Sequence, residues 1–304
     1  MESAITLFYQ IVKMFIMMTP GYILYKNKTL NDDATSRLSS MLLMVTTPCM
    51  IASSFNQVYS TEKLIGLLVS FGLSLVIYLL NIVVSNVMYP KHKSIEKFSL
   101  VFSNAGFLGI PLVTGLLGVE AVFYLAPFIA LFYVIVWTYG IVLMSGDKKT
   151  ASIKKVTTNP CVWAVGIGLI IFLMPVKPFA PVMEAVSTLG AMTTPLAMII
   201  LGAYMAKTNL LKLFTNLKVY QVSLYRLILC PVMMIFLFKF VPAAYSEVRM
   251  VLLIGASAPV AVIAPIFAQM FDKGTDYGSQ IVCLSTILCL ISMPVMLIVS
   301  SLIW

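Results

Sequence analysis

Polar side chains are scarce in the apolar stretches of this chain, so the few that lie there are the candidates for chemistry. Ser103-Asn104-Ala105-Gly106-Phe107-Leu108-Gly109-Ile110-Pro111 falls inside an apolar run over 98–117. That run is long enough to cross a bilayer as a helix. Pro111 has no N–H, and its ring clashes with the carbonyl four residues back, at Phe107. Gly106 and Gly109 let the backbone bend. The spacing predicts a helix broken near its middle, with Asn104 beside the break as both donor and acceptor. Lipid cannot satisfy freed backbone groups, so the break must face protein or a watery cavity. A second such stretch is Gly255-Ala256-Ser257-Ala258-Pro259, followed by Pro265. Its prolines free the carbonyls of Gly255 and Ala261. Two interrupted membrane segments are the sequence signature of a central transporter site.

The remaining candidates are hydroxyls and two cations. Thr46 and Thr47 precede Pro48, and Thr193 and Thr194 precede Pro195. Each threonine could face a solute or bond back to its own helix. Pro48 and Pro195 are expected to kink their helices. Lys13 lies about eight residues into the first segment, roughly 12 Å of rise, and Arg226 is similarly deep in the eighth. Either could snorkel to the surface or attract an anion. With the positive ends of broken half-helices, the set favours a small organic anion. Every acidic residue falls in a loop or at a segment end. That disfavours coupling through a carboxylate, while Na+ held by carbonyls and hydroxyls stays compatible, as does H+. The five cysteines form no C-x-x-C pair, and His92 is the single histidine. No metal site, cofactor or disulfide framework is expected. Paired aspartates, a metal motif or a Ser/His pair at depth are all missing, so an enzyme is not expected.

These residues sit in an all-α polytopic membrane protein. The chain has 304 residues, 61% of them hydrophobic and 10% charged, with a mean hydropathy of +1.01. No soluble domain has that balance. The opening Met1–Ile5 lacks a basic region and a cleavage site, so the first apolar segment is read as a membrane helix. Ten apolar segments run over 5–25, 35–56, 63–89, 95–117, 119–144, 160–176, 182–206, 216–240, 247–271 and 278–303. Pro48 and Pro195 are 147 residues apart, and the same offset carries other segment starts of the first half onto the second. Five segments per half is an odd number, so the second half enters from the opposite side. The expectation is two inverted five-helix repeats, 1–146 and 159–304, joined by a linker at 147–158. Segments four and nine are then the broken pair.

The net charge of +9 reflects topology rather than a nucleic-acid partner. Loops after odd-numbered segments hold 14 Lys and Arg against 4 on the other side, Lys177 among the 4 and Lys212 among the 14. Positive loops stay cytoplasmic, so both termini are expected outside.

Four runs carry a resemblance: Thr46-Thr47-Pro48, Phe102 to Leu112, Leu201-Gly202-Ala203-Tyr204-Met205-Ala206, and Ala258-Pro259-Val260-Ala261. Over essentially its whole length the chain resembles a bacterial member of the auxin efflux carrier family. The resemblance implies a scaffold domain and a transport domain. It implies that broken helices four and nine cross near their prolines, with substrate beside the crossing. It also implies a cytoplasmic-membrane permease for carboxylates such as malate or malonate, working by an elevator movement. The family's substrate-contacting asparagine falls on Asn104. A second asparagine, present in plant members at the other crossing helix, is replaced here by Ser257, Ala258 and Pro259, which disfavours an aromatic substrate. The substrate-site expectation is thus Ser103, Asn104, Gly106, Pro111, Ser257, Pro259, the four threonines and Arg226. A sodium-coupled symporter resembling the bile-acid transporters is the alternative. A homodimer is compatible with the sequence, and a non-transporting scaffold or receptor would leave the two breaks without a purpose.

Overall fold

The computed structural model describes residues 2–174, 178–208, 213 and 215–304; Lys177 and Lys212 lie outside them. Helices account for nearly all of it. Six are long and apolar enough to cross a membrane: α1 (Glu2–Lys26), α4 (Thr61–Met88), α7 (Val119–Ser145), α9 (Ala180–Lys207), α10 (Leu217–Phe238) and α13 (Thr275–Ile303). A seventh, α8 (Pro160–Leu173), qualifies only with the short helical stretch before it, from which it bends by 42°. The other three expected segments are interrupted: α2 (Asp32–Met41) with α3 (Thr47–Ser54), α5 (Ser94–Val101) with α6 (Ala105–Leu117), and α11 (Ser246–Ser257) with α12 (Ile263–Met270). Helix length alone therefore supports six or seven spans rather than ten. An interruption cuts each piece well below the ~20 residues a single span needs.

Helix starts follow local chemistry. Asn31 accepts from the Ala34 N–H ahead of Asp32 and Asp33. Ser60 accepts from the Lys63 N–H ahead of Glu62. Asn159 accepts from Cys161 and Val162 with Pro160 in the first turn. Side-chain caps and early acids satisfy the free N–H groups and the positive helix end.

The distribution of polarity on α4 shows what surrounds the protein. Ser70, Ser74, Tyr78, Asn81 and Ser85 are buried, whereas Leu68, Phe71, Leu79, Val83 and Val87 are exposed. A water-facing helix has the reverse arrangement. Here the apolar stripe faces outward, as lipid requires.

Proline is accommodated the same way three times. The N–H of Thr47, Ile110 and Cys230 reaches back five residues, to Leu42, Ala105 and Tyr225. A proline follows each at the next position: Pro48, Pro111 and Pro231. The wider turn moves the carbonyl that the ring would otherwise strike.

α1 lies along the second half of α9 and also packs on α13, and α3 packs on α8 and α9, with α8 and α3 both touching α7. Elsewhere, α4 packs on α5 and α7, α7 on α11, and α13 on α10 and α12. The α1–α9 contact is main chain on main chain. A Cβ on Gly202 would stand 2.0 Å from the Met18 carbonyl oxygen, and one on Gly21 1.9 Å from that of Ile199. Gly202→Ala must therefore push two helices apart, at a cost of about 1–3 kcal/mol. A thermal-unfolding series in detergent checks it, and an unchanged midpoint would mean the helices do not meet there.

Candidate functional site

α5 and α11 end facing each other. Phe102 leaves the helix in an extended conformation (φ −105°, ψ 111°), and Ala258 does the same (φ −58°, ψ 148°). The two extended stretches then pair as a minimal antiparallel bridge between Ser103 and Val260. The Asn104 N–H donates to the Pro259 carbonyl at 2.7 Å, and the Ala261 N–H to the Phe102 carbonyl at 3.0 Å. Each break thus satisfies groups freed by the other, as backbone away from water demands. The Val260 N–H donates to Ser285 Oγ at 3.2 Å. The Asn104 carbonyl restarts the chain as a helix by accepting from Leu108 and Gly109.

The break in the fourth segment lies at Phe102–Asn104, ahead of Pro111, where the sequence placed it. The wide turn over Ala105–Gly109 carries Pro111 into α6 without an interruption. In the ninth segment the break falls at Pro259 as expected, and Pro265 sits in the first turn of α12. Pro48 likewise enters α3 after a wide turn. α9 is interrupted at Met192, just before Thr193, Thr194 and Pro195.

Arg226 does not snorkel. It is fully buried on α10, and its guanidinium donates to three main-chain carbonyls. Nη1 reaches Leu100 at 2.9 Å, Nε reaches Ala258 at 3.2 Å, and Nη2 reaches Ala256. These carbonyls belong to the C-terminal ends of α5 and α11, where helices carry partial negative charge. A guanidinium fork is the one side chain that spans three acceptors from two helices. No carboxylate neutralises it among the described residues. Lys13, by contrast, is exposed on α1.

A cavity of about 40 Å³ opens beside the bridge. Ser103, Asn104 and Gly106 line it on one side, Ala261, Val262 and Ile263 on the other, with Phe132 and Tyr133 from α7. The first turns of α6 and α12 therefore both face it. The leading N–H groups of a helix have no partner within the helix, which makes the α6 end a ready anion site. At α12 the Ala264 N–H already donates to the Ala261 carbonyl at 3.0 Å and Pro265 has no N–H, so that end adds mainly its dipole. Asn104 Nδ2 and Ser103 Oγ are buried with no hydrogen-bond partner. Native proteins rarely leave such groups unpaired without reason.

The other expected residues divide. Pro259 joins the bridge. Ser257 is buried and lines a small gap with Leu7, Met293 and Met296, not the Asn104 cavity. Thr46 bonds back to the Leu42 carbonyl at 3.3 Å. Thr47 and Thr193 keep buried hydroxyls without partners, and Thr194 is half-buried. The second half of α9, starting at Thr193, packs on the first turn of α6. Sequence reasoning missed Ser285, which looks like any helix-packing serine until the facing N–H is known. Arg226 did carry a signal: with no acid in any segment, it had to find carbonyls.

The sequence also has recognisable relatives. A protein from Methanothermobacter thermautotrophicus called an uncharacterized transporter is 24% identical over 299 residues, covering 93% of this chain and 95% of its own length. The profile of the family described as membrane transport protein matches residues 6–297. With that match running over nearly its whole length, and lipid-facing helices around an interrupted core, this chain belongs to the membrane transport protein family, that of the auxin efflux carriers.

Proposed function

We propose that this transporter carries a small organic anion, a carboxylate of the malate or malonate kind, across the bacterial cytoplasmic membrane. The observation that supports it is the convergence on one cavity of two helix N-termini and an unpaired Asn104 amide, near an Arg226 charge that no acid balances among the described residues. A carboxylate offers what those donors lack. The buried charge of Arg226 adds a favourable field without touching the solute, because the low-dielectric interior screens it little. In this reading the ten segments form two inverted repeats with both termini outside. Ser103, Asn104 and Gly106 meet the substrate directly, the Thr47 and Thr193 hydroxyls stand nearby, and Pro259 holds the crossing through its carbonyl.

A 40 Å³ cavity holds a water or two, well short of the ~300 Å³ of a small-molecule pocket. Binding therefore requires the cavity wall to move. In this reading α4, α5, α7 and α10–α13, which hold the crossing, form the moving body and would shift past α1, α3, α8 and α9 as an elevator.

Currents recorded on a solid-supported membrane test the reading. The expected result is a saturable response to one or more carboxylates, with Na+ and pH gradients varied to find the coupling ion. A response to cations or sugars and none to any carboxylate would overturn it. Gly106→Leu supplies a second check. A Cβ at Gly106 meets nothing within 4 Å, so a larger side chain enters the cavity with little strain. Transport is expected to fall at least ~10-fold with the unfolding midpoint unchanged; full activity would remove the cavity from the pathway.

A further inference from the structure

A second, larger cavity of about 460 Å³ lies where α5, α10 and α13 begin. We propose that it binds a phosphate group, carried either by a membrane lipid or by a soluble anion. Three helix N-termini converge on it: Ser94 and Ile95 from α5, Asn216 and Lys218 from α10, and Lys273 and Tyr277 at the start of α13. Neither α5 nor α13 has a side-chain cap, so their leading N–H groups are free for an anion. The single carboxylate in the wall, Glu96, is already engaged. Lys93 Nζ lies 3.4 Å from it, and the Tyr277 hydroxyl donates to it at 3.4 Å. Lys218 and Lys273 have no acidic partner among the described residues. His92 adds a third basic group on the rim. Tyr89, which is 8% exposed and whose hydroxyl has no partner, feels the charge of Glu96 in this wall.

The chemistry points to phosphate. Two uncapped helix ends and two ammonium groups without an acidic partner suit a compact, oxygen-rich group of more than one negative charge, the ligand that helix N-termini and lysines bind best. The third end, that of α10, is capped by Asn216. The volume falls in the range of small-molecule sites. All contributing loops belong to the basic side of the protein, where anionic headgroups gather. The same three helices hold the crossing: α5 leads into Phe102, α10 carries Arg226 and α13 carries Ser285. A phosphate clamped across their starts would brace that body at its end. The inference rests on this geometry and not on the identity of the transported solute.

The test is thermal unfolding in phosphatidylcholine nanodiscs, with and without inorganic phosphate, and in nanodiscs containing phosphatidylglycerol. The wild type is expected to gain about 2–4 °C with phosphate, with phosphatidylglycerol, or with both, and the Lys218→Gln/Lys273→Gln variant neither. Both lysines are exposed, so the variant should keep the wild-type midpoint in phosphatidylcholine alone. A gain from phosphate only identifies a soluble ligand; a gain from phosphatidylglycerol only identifies a lipid. No gain from either, the same gain in the variant, or an equal gain from sodium chloride at matched ionic strength would overturn the proposal.

Discussion

Arg226→Met is expected to lower stability by about 3–5 kcal/mol, the cost of removing one partner from a buried charged network. The methionine fills a similar volume but donates nothing. Leu100, Ala256 and Ala258 would each keep a carbonyl that has lost its donor in a water-free interior. Each such group costs about 1–3 kcal/mol. Relief of the desolvated charge returns part of that sum. Lysine should rescue only partly, because a compact ammonium cannot reach acceptors on two helices at once. Unfolding in detergent with both variants measures it. Wild-type stability for Arg226→Met would mean that the guanidinium does not hold the crossing together.

Asn104→Ala is expected to behave in the opposite way. The Asn104 side-chain amide is buried with no partner for Nδ2, so its removal deletes an unmet donor. Stability should stay level or rise by about 1 kcal/mol. Transport should fall by at least ~10-fold, since a site that hydrogen-bonds its solute discriminates strongly through each donor. Asn104→Asp puts a negative charge where an anion belongs and should abolish uptake altogether. Proteoliposome uptake beside an unfolding series separates the two readouts. Unimpaired uptake in Asn104→Ala, or a large stability loss without one in transport, would assign Asn104 a structural role.

The contrast between these two residues shows how far the sequence reaches. Asn104 was legible because a carboxamide beside two glycines and a proline is out of place in an apolar run. Pro259 was legible for the same reason. The bridge between Ser103 and Val260 was not, because pairing across 157 residues leaves no local trace. Pro111 misled through a sound rule applied to the wrong geometry. A proline breaks a helix of regular pitch, whereas the turn reaching from Ile110 back to Ala105 widens to admit the ring. The same turn precedes Pro48 and Pro231. Ser257 stood beside Pro259 in sequence, yet the last turn of α11 places it with residues of α1 and α13 rather than in the Asn104 cavity. Composition indicated a lipid-surrounded helical protein, and the outward apolar stripe of α4 agrees with it. The number of spans was harder, because the segments that matter most are the ones cut short.

Chemical labelling tests the crossing cavity most directly. With Cys49, Cys161, Cys230, Cys283 and Cys289 replaced, Gly106→Cys places one thiol on the cavity wall. The reaction rate of that thiol with a small water-soluble maleimide is then followed with and without a transported carboxylate. The account predicts measurable labelling that slows several-fold as the carboxylate saturates, with no slowing by solutes that are not carried. Labelling that proceeds at one rate regardless of the carboxylate would contradict it.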